Sequence, residues 1–541
     1  MNMVRQDKHA GKAGGWKRAF AAALAALMMV SLLAACSFGG SGSGDKAENR
    51  VLRIGTMYGS PGDESWFRQQ YTDSFELLNP NIEIQIVSAI DWNKQRFNTG
   101  EEQQQIDPYE ELTKMLTGEN PVDVLIVDYT YLRRLIQDNL LQQLDPLIQR
   151  DKFDLEDFVP TVLDGIKALG DNNLYALAPT FSSNALFYNK KLFTEKGVTP
   201  PADNMFWPDV IDLAKRVSGG EGEERTFGIQ FNRWFGDPYY DMQYSYTPPL
   251  QLRMYDNNGE KMTVNTPLWE RVWTTMADLH KNKVVPTWEE VGNVWEVREG
   301  EQPNPFSGDL FIMGRVAMVT ADYSYVNELQ LAAEYAAQNP NFEAPDWEVV
   351  TLPQHEEAPG IGSNTYLNSI TAINAKAQNP DDAWNYVKFI NGRDWAKLKS
   401  RSMYELSARK EFLKPPAGLD FNIAAFTTLK PVPPSNLDMD KLYRENPNLW
   451  QVENIGRNKF QEVLQDQKTV KEALAEWETE GNAVLQNKGE AGEIGIDDPI
   501  IPFKKILEEA AGVERTTTED TTSEGAAAED AFIEDMVIVD Q

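Results

Sequence analysis

Apolar positions along this chain change their period several times, and each change marks the border of a strand or a helix. Residues 51–58 (VLRIGTMY) read as a strand, and residues 64–78 carry Phe67, Tyr71, Phe75 and Leu78 at helical spacing until Asn79-Pro80 stops the run. Ile82, Ile84 and Ile86 then alternate with polar residues as a second short strand. A β-α-β opening of this kind implies parallel strands with a helix laid on the sheet. A helix over 108–116, ended by Gly118, leads into 122–127 (VDVLIV), a nearly continuous apolar run of the sort buried on both faces. Asp128 and Tyr129 therefore fall at the carboxyl end of a strand, the edge at which open α/β sheets bind ligands.

Residues 174–193 (LYALAPTFSSNALFYNKKLF) break the pattern. An apolar strand over 174–178 is interrupted by Pro179 and the polar residues 182–184, and resumes at 185–188. Proline cannot donate to a sheet ladder, so the run suits a crossing between two packed units better than a continuous central strand. A crossing would put Phe181 and Ser182 in a cleft. Further on, the spacing predicts a helix over 207–217 with Pro208 near its start, and a turn at 256–259 between strands 252–255 and 261–264. It also predicts a helix over 268–283, strands over 347–353 and 369–373, a helix over 383–390 capped by 379–382, and an amphipathic helix over 469–482. At 541 residues the chain exceeds a single core, which points to two domains or lobes.

The two ends read differently from the middle. Residues 1–18 hold five cations and residues 19–35 are apolar, closing on Leu33-Ala34-Ala35-Cys36-Ser37. This is the pattern of a signal peptide ending in what resembles a bacterial lipoprotein box. Cys36 would take a diacylglyceryl group and, with further acyl chains such as palmitate, become a stably membrane-anchored mature N-terminus. An uncleaved transmembrane helix is the alternative, but the apolar run is short and turns at once into Ser and Gly. Residues 36–50 then form a flexible tether, and residues 514–541, acidic and of low complexity, read as a disordered tail.

Charge removes two classes of partner. Without residues 1–35 the chain has 46 Lys and Arg against 82 Asp and Glu, a net −36 that disfavours nucleic acid and polybasic docking to anionic lipid. Enzymatic signals are poor as well. Outside the signal peptide only His280 and His355 remain, so a three-histidine zinc site cannot be built, and Cys36 is the single thiol. No Gly-x-Ser-x-Gly elbow or phosphate loop stands out, no cofactor or metal is expected, and carboxylate pairs have no support beyond abundance.

Spaced motifs over roughly 51–510 resemble the extracellular solute-binding proteins of carbohydrate ABC transporters. In family order they are Leu77-Leu78-Asn79-Pro80-Asn81, the Tyr188-Asn189-Lys190 that comes after Pro179, Gly314-Arg315-Val316-Ala317-Met318, and Asn379-Pro380-Asp381-Asp382-Ala383-Trp384. The resemblance implies an α/β, two-lobed periplasmic-binding-protein-like fold with a hinge and an interlobe ligand cleft. It also implies a monomeric, non-enzymatic receptor that hands a small solute, first of all an oligosaccharide or sugar derivative, to ABC permease subunits. Its lobes are expected at 51–181 plus 369–405 and at 182–368 plus 406–513. A peptide or other solute on the same architecture, and a secreted glycoside-processing enzyme, are the alternatives.

Sugar binding needs flat apolar surfaces for the C–H face of a pyranose and planar polar side chains for its hydroxyls. The best-placed aromatics are Tyr58 after the first strand, Tyr129, Phe181, Tyr323 and Tyr325 after the strand that ends near 320, and Trp234 in the cluster Asn232-Arg233-Trp234-Phe235. Any one of them could instead be core packing. Asp128, Arg233 and Asp322 could bond hydroxyls, or equally serve as helix caps or surface ion pairs. The glycine-containing loop 359–366 brings in Asn364 and Tyr366, and the resemblance adds Trp450, ahead of the C-terminal helices.

Overall fold

The computed structural model describes residues 49–93, 106–234, 236–292, 294, 303–434, 442–443, 446 and 448–486. The signal peptide, Cys36, nearly all of the tether and the acidic tail, all read from sequence, lie outside the described residues. Two compact units divide the chain. The first comprises Met1–Asn184, Asp322–Glu328 and Asn364–Pro434, and the second Ala185–Ala321, Leu329–Ser363 and Ser435–Gln541. The return segment of the first unit thus runs on to Pro434, and the short piece Asp322–Glu328 joins it. No described helix is long and apolar enough to cross a membrane.

The first unit is built on a five-stranded sheet in the order Ile82–Asp91, Arg50–Gly59, Val124–Val127, Ile370–Ile373, Ala176–Leu177. The first three strands are parallel, with Ile54 opposite both Ile86 and Val124, as the β-α-β spacing predicts. The returning strand is antiparallel and sets Ile370 against Val127 and Thr371 against Leu177. Asp123 locks this return in place. Its carboxylate is wholly buried and accepts the Arg53 N–H at 3.0 Å, the Gln378 N–H at 2.7 Å and the Asn379 N–H at 2.8 Å. Asn379 does not cap the helix Pro380–Ile390 with its side chain, contrary to its sequence position; its Nδ2 instead donates to the Val51 carbonyl at 2.9 Å.

The broken run around Pro179 also differs from its sequence reading. Pro179 sets Ala176–Leu177 apart, but Thr180–Asn189 is one uninterrupted strand that the polar residues 182–184 do not break. Partners on the strand Thr365–Asn368 explain this. Asn368 Nδ2 donates to Ser182 Oγ at 2.9 Å, and the hydroxyls of Ser183 and Thr365 lie 3.3 Å apart. The division between the units falls within this strand, after Asn184, and its far half pairs Leu186–Asn189 with Val350–Trp347 inside the second unit.

The second unit closes around aromatic rings on three helices, Pro267–Lys281, Leu449–Leu464 and Val470–Gln486. Trp273 and Trp477 stack at 5.3 Å, while Phe460 meets Trp273 edge-on at 5.0 Å and Trp269 meets Trp477 at 5.5 Å. Gly456 permits the approach, because a Cβ there would lie 2.5 Å from the Trp477 ring. Thr469 and Glu472 form a reciprocal cap, with bonds of 3.3 and 3.0 Å, that starts the last helix. The strands expected at 252–255 and 261–264 reduce to a single Tyr255–Met262 bridge, while the turn between them forms, with the Asp256 N–H donating to the Lys261 carbonyl at 2.9 Å and the Asp256 carboxylate accepting the N–H groups of Asn258 and Glu260.

Candidate functional site

Within the second unit, side-chain contacts link polar and aromatic residues from three sequence regions into one surface. Asn232 starts it: Oδ1 accepts the Trp234 N–H at 2.8 Å and Nδ2 donates to Asp241 at 2.7 Å. The Trp234 ring is half exposed, at 50%, and the Arg233 guanidinium lies 4.6 Å from its centre. Arg233 is held in turn by the buried carboxylate of Asp309 at 3.1 Å, and its carbonyl accepts from Gln230 Nε2 at 2.8 Å.

The second region begins at Asp237, which caps the turn Pro238–Tyr240 by accepting the Tyr239 N–H at 2.8 Å. Tyr240 leads into the π-helical turn Asp241–Tyr246, whose widened spacing lets Tyr240 and Tyr244 stack at 5.7 Å with both rings exposed. Inserted π turns of this sort recur at functional sites. The third region is the helix Leu449–Leu464. Trp450, exposed, Glu453 and Arg457 fall on one face of it, and Arg457 reaches Asp237 at 2.6 Å while covering Tyr240 at 5.0 Å. Burial pushes the Glu453 carboxyl up, with Arg457 opposing. Such a surface offers flat rings beside planar hydrogen-bonding groups, and it has the polarity to hold a polyhydroxylated solute.

The residues singled out in the first unit have mostly been taken up by the fold. Asp128 is the N-cap of the helix Tyr129–Gln137 and accepts the Thr130 N–H at 2.7 Å, and Asp322 accepts the Ser324 N–H at 2.7 Å. Tyr129 donates to the Gly165 carbonyl at 2.8 Å, and burial pushes its hydroxyl up to about 12. Phe181 is fully buried opposite Leu367 and Leu406, Ser182 is engaged by Asn368, and Tyr325 is buried. Tyr323 is buried too and stands edge-on to Phe426 at 5.7 Å. Two places stay open. Tyr58 stacks on Trp92 at 4.6 Å with both rings partly exposed, and Asn364, at φ 56°, accepts the hydroxyl of the exposed Tyr366 at 3.1 Å.

Sequence reasoning passed over Tyr240, Tyr244 and Trp92. The first two had a readable signal: Asp237-Pro238 is a helix start, and 240 and 244 lie one turn apart. Trp92 had none, since its significance lies in its stack on Tyr58. Among the described residues no cluster of His, Cys, Asp and Glu is arranged to hold a metal ion.

Known proteins resemble the chain over most of its length. A family model described as bacterial extracellular solute-binding protein matches residues 58–397. A Brucella abortus protein described as a binding protein is 24% identical over 375 residues, which cover 67% of this chain and 78% of the relative. Among solved structures, a sugar transporter of Rhizobium etli in an open conformation aligns over 80% of this chain and 99% of its own at TM-score 0.52 and 17% identity. The sugar-binding protein MalE of Xanthomonas citri aligns over 81% and 98% at TM-score 0.52 and 17% identity. UspC of Mycobacterium tuberculosis aligns over 80% and 100% at TM-score 0.53 and 16% identity. The shared property is the two-lobed α/β fold.

Proposed function

The chain belongs to the bacterial extracellular solute-binding proteins, and from that premise we propose that it is the receptor of an ABC importer for an oligosaccharide or sugar derivative. The observation that supports this reading is the surface of Trp234, Tyr240, Tyr244 and Trp450, whose rings stay exposed beside Asn232, Arg233 and Arg457. An exposed aromatic carries a cost in water that a pyranose face relieves, while the guanidinium groups supply fixed donors to its hydroxyls. Tyr58 with Trp92, and Asn364 with Tyr366, are the candidates in the first unit. Ligand capture proceeds by hinge closure, the solute binding the closed form better than the open one and so presenting that form to the permease.

The membrane attachment belongs to the same proposal. Lipidation of Cys36 holds the receptor outside the cytoplasm, and replacement by Ser should release it into the soluble fraction. A Cys36→Ser protein that stays with the membrane would contradict the anchor and leave the solute reading intact. The solute class is tested by calorimetric titration with oligosaccharides and with peptides. Tight peptide binding without sugar binding overturns it, and recovery of a cleaved sugar would point to an enzyme.

A further inference from the structure

Asp241 is placed at a cost to the fold. The residue is 8% exposed, and burial, reinforced by the nearby Asp237 and opposed by the Asn232 hydrogen bond, pushes its carboxyl up to about 7. An unfolded chain ionises this group near its ordinary value, so above that pH the buried carboxyl subtracts from stability, whereas a neutral side chain of the same size would not. A group that weakens the fold while sitting next in sequence to an exposed ring calls for a local task.

Asn232 supplies it. Both ends of its amide are occupied, Oδ1 by the Trp234 N–H at 2.8 Å and Nδ2 by Asp241 at 2.7 Å. The Trp234 N–H sets the orientation, because only the amide oxygen can accept it, and this turns the NH2 group toward Asp241. Asp241 thereby fixes the rotamer of Asn232, and Asn232 fixes the backbone at Trp234. Asp241 also begins the π turn whose preceding residue is Tyr240 and whose interior holds Tyr244. One carboxyl therefore joins the loop that carries Arg233 and Trp234 to the turn that carries the stacked tyrosines.

We propose that Asp241 is a positioning residue that, acting through Asn232, sets Trp234 against Tyr240 and Tyr244 so that a saccharide meets a preformed surface. The inference rests on reading that surface as the sugar-facing one. Its physical content is preorganisation: a loop already ordered before binding spares the complex the entropy of ordering it. What Asp241 must offer is an acceptor. Asp241→Asn keeps an acceptor oxygen of the same size, Asp241→Leu removes it, and Asn232→Leu cuts the link from the other side.

The test uses the full chain and three readouts: hydrogen exchange at the Trp234 amide, the thermal midpoint at pH 8, and calorimetric titration with maltotriose and mannotriose. In Asp241→Leu the Trp234 amide should exchange about tenfold faster and sugar affinity should fall about tenfold, the scale of one lost hydrogen bond. The thermal midpoint of that variant should hold or rise, and Asp241→Asn should recover both exchange and affinity. Asn232→Leu should reproduce the faster exchange and the weaker binding, and Asp241→Ala takes the place of Asp241→Leu if the latter does not fold. Unchanged exchange and affinity in these variants would overturn the inference. A wild-type protein that binds neither trisaccharide overturns the sugar reading, while the exchange result still decides whether Asp241 acts on Trp234.

Discussion

The two units use the same kinds of residue in opposite ways. In the first, polar side chains near strand ends are consumed by the backbone: Asp128 and Asp322 accept amide hydrogens, Asp123 accepts three, and Ser182 and Ser183 meet partners on the neighbouring strand. In the second, Asn232 pairs with Asp241 and Arg457 pairs with Asp237, and the rings of Trp234, Tyr240 and Tyr244 stay in solvent. A strand-end carboxylate is available to a ligand only where no helix start needs it. That need is itself legible, because an Asp ahead of helical spacing is first of all a cap.

The largest effect expected from this comparison concerns the cores. Trp477→Ala removes a ring wedged against Trp273, Trp269 and Gly456 and should destabilise the second unit by about 4 kcal/mol. Scanning calorimetry should show the transition of that unit lowered and the other little moved; a uniform shift of both would break the view of two separate cores. Close behind comes Asp123→Ala in the first unit, which removes a wholly buried acceptor from three part-buried backbone donors and should cost about 3 kcal/mol there.

Acid response should separate the units next. Outside the signal peptide both histidines, His280 and His355, lie in the second unit, and burial pushes the 7%-exposed His280 down to about 4. An unfolded chain protonates that ring at its ordinary value near 6.5, so stability is complete above 6.5 and falls as pH drops toward 4, by about 3 kcal/mol. Burial lowers His355 as well, with the same sign. Asp241 acts in the opposite sense: its raised value makes stability fall as pH rises from the ordinary carboxyl range to about 7. Denaturant titrations between pH 4 and 7 should therefore show a shallow profile in the wild type. Asp241→Asn should steepen the loss in acid and His280→Leu should reverse it; identical slopes in all three proteins would rule out this opposition.

The smallest effect on stability should accompany a large one on binding. Trp234→Ala and Tyr244→Ala remove half-exposed rings, at 50% and 59% exposure, and should change unfolding free energy by no more than about 0.5 kcal/mol. Each should weaken oligosaccharide binding about tenfold, a stacking contribution of about 1.4 kcal/mol. Tyr323→Ala and Phe181→Ala in the first unit should behave in the reverse way, since both parent rings are buried.

Much of the architecture was legible because period alone specified it. The parallel strands at 51–58, 82–86 and 122–127, the helices at 207–217 and 268–283 and the returning strand near 369–373 all stand within a few residues of their expected places. What stayed hidden depended on partners far away in sequence. The polar residues 182–184 look like a break until Thr365 and Asn368 are seen beside them. Asn379 looks like a cap until the Val51 carbonyl claims its amide. The hairpin at 256–259 has the right turn chemistry and its turn forms, but the flanking residues pair as a bridge only at Tyr255 and Met262. The candidate surface was half visible: Arg233, Trp234 and Trp450 stand on it, whereas Tyr240 and Tyr244, one turn apart behind the helix start at Asp237-Pro238, carried a readable spacing that was passed over.

The most direct measurement is a calorimetric titration of the wild type, Trp234→Ala and Tyr244→Ala with maltotriose, mannotriose and a set of tripeptides, with recovery of the solute afterwards. A sugar receptor built on these rings should bind one oligosaccharide per chain and return it unchanged, and loss of either ring should weaken that binding about tenfold with the fold intact. Binding of tripeptides in place of sugar, or sugar binding indifferent to both rings, would contradict it.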